Sequence, residues 1–289
     1  MKVNKKLIAL TAIGTAAYIY KRVSDYTHDM LYRYSIVRNE LKDDYTKIVR
    51  LRNHDGLIIC GYLYERGPGH KTIIMMHRFL EDSTSLINEI NYFKEHTDAN
   101  ILAVDAKAHG LSDGYHRGFG YEDITDLMLW NRYILKRYGQ DHKILMYGQG
   151  LGASCILMCA NKGKLKNVEA IISDGACADT GDYLVKHCFK KTAIPGFISY
   201  PIIKRMIRNE IDCNLSVMTP MNHIEDNKIP TLFMHSRMNK DVPLEDVFTL
   251  YNHAQCEKEL FPVKEAYFYT MKDNEYAQTL ISFINTYFK

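Results

Sequence analysis

Apolar positions along the chain change rhythm near residue 45. Before it, Leu7–Tyr20 is a run of fourteen uncharged, mostly apolar residues, preceded by the basic stretch Met1–Lys6 and closed by Lys21-Arg22. After it, Lys47–Arg52 and Leu57–Tyr64 alternate around His54-Asp55-Gly56, which predicts an antiparallel hairpin. Short apolar runs and helical patterns then take turns. Strands are predicted at Thr72–Met76, Ile101–Asp105, Lys143–Tyr147, Glu169–Ser173, Pro230–His235 and Leu260–Ala266. Helices are predicted near 84–97, 121–138, 152–162, 244–255 and 274–287. Continuous runs such as Ile-Leu-Ala-Val suit strands buried on both faces. The order predicts an α/β fold: a mostly parallel sheet, an antiparallel N-terminal hairpin and helices on both faces. Residues 176–225 break the rhythm and predict a small helical cap over the sheet's carboxyl edge. Its helices are expected near 180–191 and 197–211, broken at Pro195 and Pro201.

Charge refines this division. The 289 residues hold 37 Lys+Arg and 34 Asp+Glu, a net +3 that is too small for a dedicated nucleic-acid binder. Residues 1–22 carry five bases and no acid, so the rest of the chain is at −2. Residues 1–30 therefore read as a signal or anchor segment ahead of one domain, 31–289. As a helix the apolar run rises about 21 Å, against roughly 30 Å of hydrocarbon core. Thr15-Ala16-Ala17 offers a cleavage site. Membrane association or export is expected, on an unspecified side, with a cytoplasmic protein as the alternative. A surface helix packed on its own domain is the other reading of this segment. The seven cysteines are odd in number with no C-x-x-C pair, which suggests neither a disulfide framework nor a zinc site.

The turn after Lys143–Tyr147 reads Gly148-Gln149-Gly150-Leu151-Gly152-Ala153, between a strand and a helix. Its glycine spacing fits a dinucleotide fingerprint, with Asp174 placed for a ribose. It also fits a nucleophile elbow, G-x-S-x-G, whose central residue is Gly150. A dinucleotide fingerprint normally follows the first strand of its unit, whereas about 140 residues precede this one.

Four further segments, in order, match one family. They are Met75-Met76-His77-Arg78-Phe79, then Asp105 to Gly114 (Asp-Ala-Lys-Ala-His-Gly-Leu-Ser-Asp-Gly), then Pro230 to Pro243, then Val263 to Phe268. With the elbow, they resemble the α/β-hydrolase superfamily, and within it the serine aminopeptidase and monoacylglycerol-lipase-like branch. The resemblance covers residues 45–289. It implies a Ser–His–Asp triad, with oxyanion-hole amides at Phe79 and Leu151.

The triad positions all depart from that pattern. The nucleophile position is Gly150, the acid position Asn239 and the base position Phe268. Asp241, two residues on, is a substitute acid, but no histidine follows His253. Glycine has no attacking atom and phenylalanine takes no proton. The chain thus reads as a hydrolase fold that binds a small acyl- or ester-like ligand or a protein partner without turning it over. His77, Arg78 and Gln149 are candidate ligand contacts, and no metal or cofactor is implied. A hydrolase using other residues and a dinucleotide-dependent enzyme are the alternatives. Tyr115, Phe119, Tyr121, Phe197 and Tyr200 are candidate pocket aromatics. Lys186–Lys191 and Lys204–Arg208 read as solvated helix faces.

Overall fold

The computed structural model describes residues 5–32, 40–67, 69–160, 164–263 and 274–289. It opens with a long helix, α1 (Lys5–Leu31), followed by the hairpin β1 (Lys47–Arg52) and β2 (Ile58–Tyr64). Then come β3 (Lys71–Met76), α2 (Ile87–His96), β4 (Asn100–Val104), α3 (Asp123–Tyr138), β5 (Lys143–Gln149), α4 (Leu151–Cys159) and β6 (Val168–Asp174). The cap helices are α5 (Thr180–Thr192) and α6 (Gly196–Ile211). The chain closes with β7 (Thr231–Ser236), α7 (Leu244–His253), β8 (Lys258–Val263) and α8 (Asn274–Tyr287).

All eight strands form one sheet in the order β1-β2-β4-β3-β5-β6-β7-β8. The β1–β2 and β2–β4 pairs are antiparallel and the rest parallel. This is the α/β arrangement expected from the sequence. Core clusters cover both faces. Trp130, Ile134, Ile156 and Leu250 pack on one, from α3, α4 and α7. Ile90, Phe93, Leu280 and Phe283 pack on the other, from α2 and α8.

One detail differs from the expected pattern. Pro201 does not break α6, which runs on from Gly196 through it. A proline there removes one hydrogen bond, a loss that packing can offset, and Ser199, Ile203 and Ile207 are buried along this helix. The last strand was expected over Leu260–Ala266; β8 is described over Lys258–Val263, and residues 264–266 lie outside the described residues.

The N-terminal segment also departs from a simple address. Val23, Tyr26, Met30 and Leu31 of α1 are buried together with Leu184 and Cys188 of α5 and Ile203 and Ile207 of α6. The spacing i, i+3, i+7, i+8 is one face of a helix. The Tyr26 hydroxyl donates to the Leu184 carbonyl at 2.9 Å. Arg117 Nη1 closes the carboxyl end of α1, donating to the carbonyls of Asp29, Met30 and Tyr32 at 3.0, 3.2 and 2.6 Å. Among the described residues, no helix is long and apolar enough to cross a membrane, so the expected signal or anchor segment has no support as a membrane span.

Candidate functional site

Strand order reverses between β3 and β5, because β4 lies outside β3. In open α/β sheets this switch opens a crevice at the strands' carboxyl ends. Two turns meet there: Gly150 after β5, and His77-Arg78-Phe79 after β3.

Gly150 has φ 54° and ψ −122°, a backbone shape that costs a residue with a Cβ about 1–3 kcal/mol. Its N–H donates to the Asp174 carbonyl at 2.8 Å. The neighbouring glycines have a different reason. A Cβ on Gly148 would lie 2.6 Å from Ala153 N, and one on Gly152 2.5 Å from the His77 carbonyl oxygen. Both therefore let α4 press onto β5 and the end of β3. At Gly150 a Cβ would meet the Arg78 side chain first, at 3.1 Å from Cγ, with backbone no nearer than 3.8 Å.

The turn after β3 is fixed from below. His77 Nε2 accepts the Ala106 N–H at 3.0 Å, so Nδ1 carries the proton it gives to the Arg78 carbonyl at 2.7 Å. His109 does the same with Leu80 N–H and the Lys107 carbonyl. Asp105 accepts the amides of Ser83 and Leu111. Gly110 is required beside it, since a Cβ there would lie 2.2 Å from the Asp105 carboxyl. Lys107 reaches Glu122 at 2.8 Å. Ala108 holds φ 59°, in the left-handed region that glycine favours. Phe79 packs on Phe119, ring centroids 5.2 Å apart.

Above these turns lies a cavity of about 480 Å³, within the usual size range for a small-molecule site. Gly150, Leu151, Arg78 and Phe79 line one side of it, with Glu81, Gly175 and Cys177; Tyr183 of α5 and the loop Met238–Val242 line the rest. Arg78 Nε donates to Glu81 at 3.0 Å. Among the described residues, the Phe79 and Leu151 amides have no hydrogen-bond acceptor, and both residues are on the cavity wall.

The expected site residues divide. Gly150, Leu151, Phe79, Arg78, Asn239 and Asp241 gather at the cavity. His77 and Gln149 do not line it. Both are buried behind the turns, His77 tied to Ala106 and Arg78 and Gln149 to Glu89 and Tyr147. Asn239 Oδ1 accepts the amides of Asp241 and Val242 at 2.9 and 3.1 Å, so its acceptor closes its own loop. Asp241 pairs with Lys190 of the cap at 3.3 Å. Phe268 lies outside the described residues. Ser154 is buried, accepting the Cys177 amide at 3.1 Å. None of the five expected pocket aromatics lines the cavity. Phe119 is buried behind Phe79, whereas Tyr115 and Phe197 are exposed. Tyr183 and Met238 were not expected there. An amphipathic cap pattern does not tell which helix face looks down, and Met238 has no periodic signal.

Under the elbow is a buried polar chain. Gln149 Nε2 donates to Glu89 Oε1 at 2.9 Å and to the Tyr147 hydroxyl at 2.7 Å. The Tyr147 and Tyr276 hydroxyls are 3.3 Å apart, and Tyr276 donates to Asp174 Oδ2 at 2.9 Å. Burial, and secondarily the nearby Asp174, pushes the Glu89 carboxyl up to about 7. Burial likewise pushes Asp174 up to about 6, opposed by the Tyr276 bond and by Arg78. Asp174 is thus buried and engaged by a tyrosine, not offered to a ribose, and the dinucleotide reading has no support in this geometry.

Strand order, opening hairpin and glycine elbow define an α/β-hydrolase fold. Solved structures of this fold match along most of the chain. The esterase Pf2001 of Pyrococcus furiosus superposes with a TM-score of 0.68 at 19% identity, covering 90% of this chain and 98% of that one. An esterase from Exiguobacterium antarcticum gives 0.60 at 15% identity, covering 82% and 99%. In sequence, the chain is 22% identical over 235 residues to the uncharacterised protein YqkD of Bacillus subtilis strain 168, which is 80% of this chain and 76% of that protein. No family model matches the chain.

Proposed function

We propose that this protein is a non-catalytic α/β-hydrolase homologue that binds a small acyl- or ester-like ligand in the cavity above Gly150. The observation that carries this reading is the elbow. It keeps its backbone shape at the switch point, but its apex residue has no atom that can attack a carbonyl. The unused amides of Phe79 and Leu151 supply donors for a carbonyl oxygen. Phe79, Leu151, Tyr183 and Val242 supply apolar contact for an acyl chain. Asn239 and Asp241 support the reading too. One turns its oxygen into its own loop, and the other is engaged by Lys190. Loss of triad members typically costs about 10⁴- to 10⁶-fold in turnover.

The test uses the full chain, since the second half of α1 is part of the core. Wild type should show neither p-nitrophenyl ester turnover nor fluorophosphonate labelling. Hexanoate and ethyl hexanoate should raise its melting temperature, and Leu151→Trp, which fills the cavity, should abolish that rise. Turnover or labelling by wild type that is lost in Asp241→Asn would show a working hydrolase and overturn the reading.

A further inference from the structure

The first half of α1 projects beyond the packed core. From Leu10 to Tyr18 every residue is exposed, and the run Leu7–Tyr20 contains no charge. Leu10, Ile13, Tyr18 and Tyr20 are 67%, 66%, 61% and 55% exposed. A helix that is apolar on all sides belongs inside another phase. A groove on a protein needs one matching stripe of such a helix, whereas a lipid surface takes whichever apolar side is turned to it.

Charge complements this. The five bases and no acids of residues 1–22 frame the run on both sides. Helices α5 and α6, against which α1 packs, add six bases against two acids between Thr180 and Ile211, with Lys204, Arg205 and Arg208 exposed. The rest of the chain is net acidic, so positive charge is concentrated at this end. Tyr18 and Tyr20 beside Lys21-Arg22 form the pairing of aromatic and basic residues that suits a headgroup layer.

Length and charge set the orientation. The run rises about 21 Å, less than the whole hydrocarbon thickness, and bases stand at both its ends, so only a helix lying along the surface keeps every charge in the headgroup layer. We infer that the projecting half of α1 docks the protein on an anionic lipid bilayer, lying in the plane of the interface without spanning it, with the basic residues at both ends of the run at the headgroups. Because the second half of α1 is packed on α5 and α6, this docking holds the cap beside the lipid surface. The inference is independent of what the cavity binds.

Flotation of the full chain with lipid vesicles tests it. Wild type should float with vesicles of equal parts phosphatidylcholine and phosphatidylglycerol, less as salt is raised, and poorly with phosphatidylcholine alone. Leu10→Glu/Ile13→Glu should weaken binding more than about tenfold. Lys21→Glu should weaken it about fivefold or more. All three side chains are exposed, so both variants should melt with wild type. Failure of wild type to float with anionic vesicles would overturn the inference, as would undiminished flotation of the double variant. A wild-type dimer that Leu10→Glu/Ile13→Glu converts to monomer, without vesicle binding, would assign the helix to a second copy of the chain instead.

Discussion

Replacing Glu89 by glutamine should stabilise the protein, increasingly so as pH rises. Glu89 is buried beneath the elbow, and among the described residues its Oε2 has no hydrogen-bond partner. Ionisation would leave a charged oxygen unpaired in the interior, which favours the protonated form. Its carboxyl is pushed from an ordinary 4.5 to about 7. The folded state therefore holds this proton where the unfolded chain has released it. Stability contributed by this site is complete below about 4.5, falls as pH rises, and levels off above about 7. A shift of this size corresponds to roughly 3 kcal/mol. Glutamine keeps a carbonyl oxygen for the Gln149 bond and has no charge to lose. Urea unfolding of wild type and Glu89→Gln should differ by less than about 1 kcal/mol at pH 5 and by roughly 3 kcal/mol at pH 8, the variant being more stable. A difference that does not change with pH, or a variant less stable at pH 8, would refute the argument.

Three other outcomes follow from the same geometry. Gly150→Ser should lower the melting temperature, at a cost of about 1–3 kcal/mol for its backbone shape, and give no ester turnover; calorimetry and a chromogenic ester assay check both. Gly110→Ala should cost at least about 3 kcal/mol in chemical denaturation, because its methyl would fall on the Asp105 carboxyl and break the turn that Asp105 organises. Arg117→Ala should cost about 1–3 kcal/mol and open the carboxyl end of α1 to proteases, since the carbonyls of Asp29, Met30 and the following Tyr32 lose this donor; limited proteolysis with mass mapping locates the cut.

Strands were legible in the sequence because each buried strand is a continuous apolar run bounded by turn residues. The elbow was legible because close packing requires Gly148 and Gly152, and such a requirement leaves a pattern. Two things were hidden. Val23, Tyr26, Met30 and Leu31 form a helical stripe, but it directly continues a basic and apolar run that looks like a leader. Their partners, Leu184 and Ile203, are more than 150 residues away. The polar chain from Glu89 to Asp174 was hidden for a similar reason. It joins α2, β5, β6 and α8, and only the sheet order brings them together. Gln149 looked like a ligand contact because it adjoins Gly150. In a strand, however, alternate residues face opposite sides of the sheet, and adjacency in sequence says little about facing a cavity.

The three elbow glycines separate scaffold from chemistry. At Gly148 and Gly152 an added methyl would meet backbone atoms at 2.6 and 2.5 Å, so glycine there holds the strand–turn–helix together whatever the apex carries. At Gly150 an added methyl would press only on the flexible Arg78 side chain, the nearest backbone atom lying at 3.8 Å, an ordinary contact. The strained backbone is present even so, set by its flanks and by the bond to the Asp174 carbonyl. A turn held in this way does not need a nucleophile to keep its shape. The turn holds Leu151 on the cavity wall, and the separate turn after β3, fixed by His77 and Asp105, holds Phe79 there. Under the proposed function, placement of the donors rests on packing at positions 148 and 152 and on the turn after β3, and reactivity on a side chain at position 150.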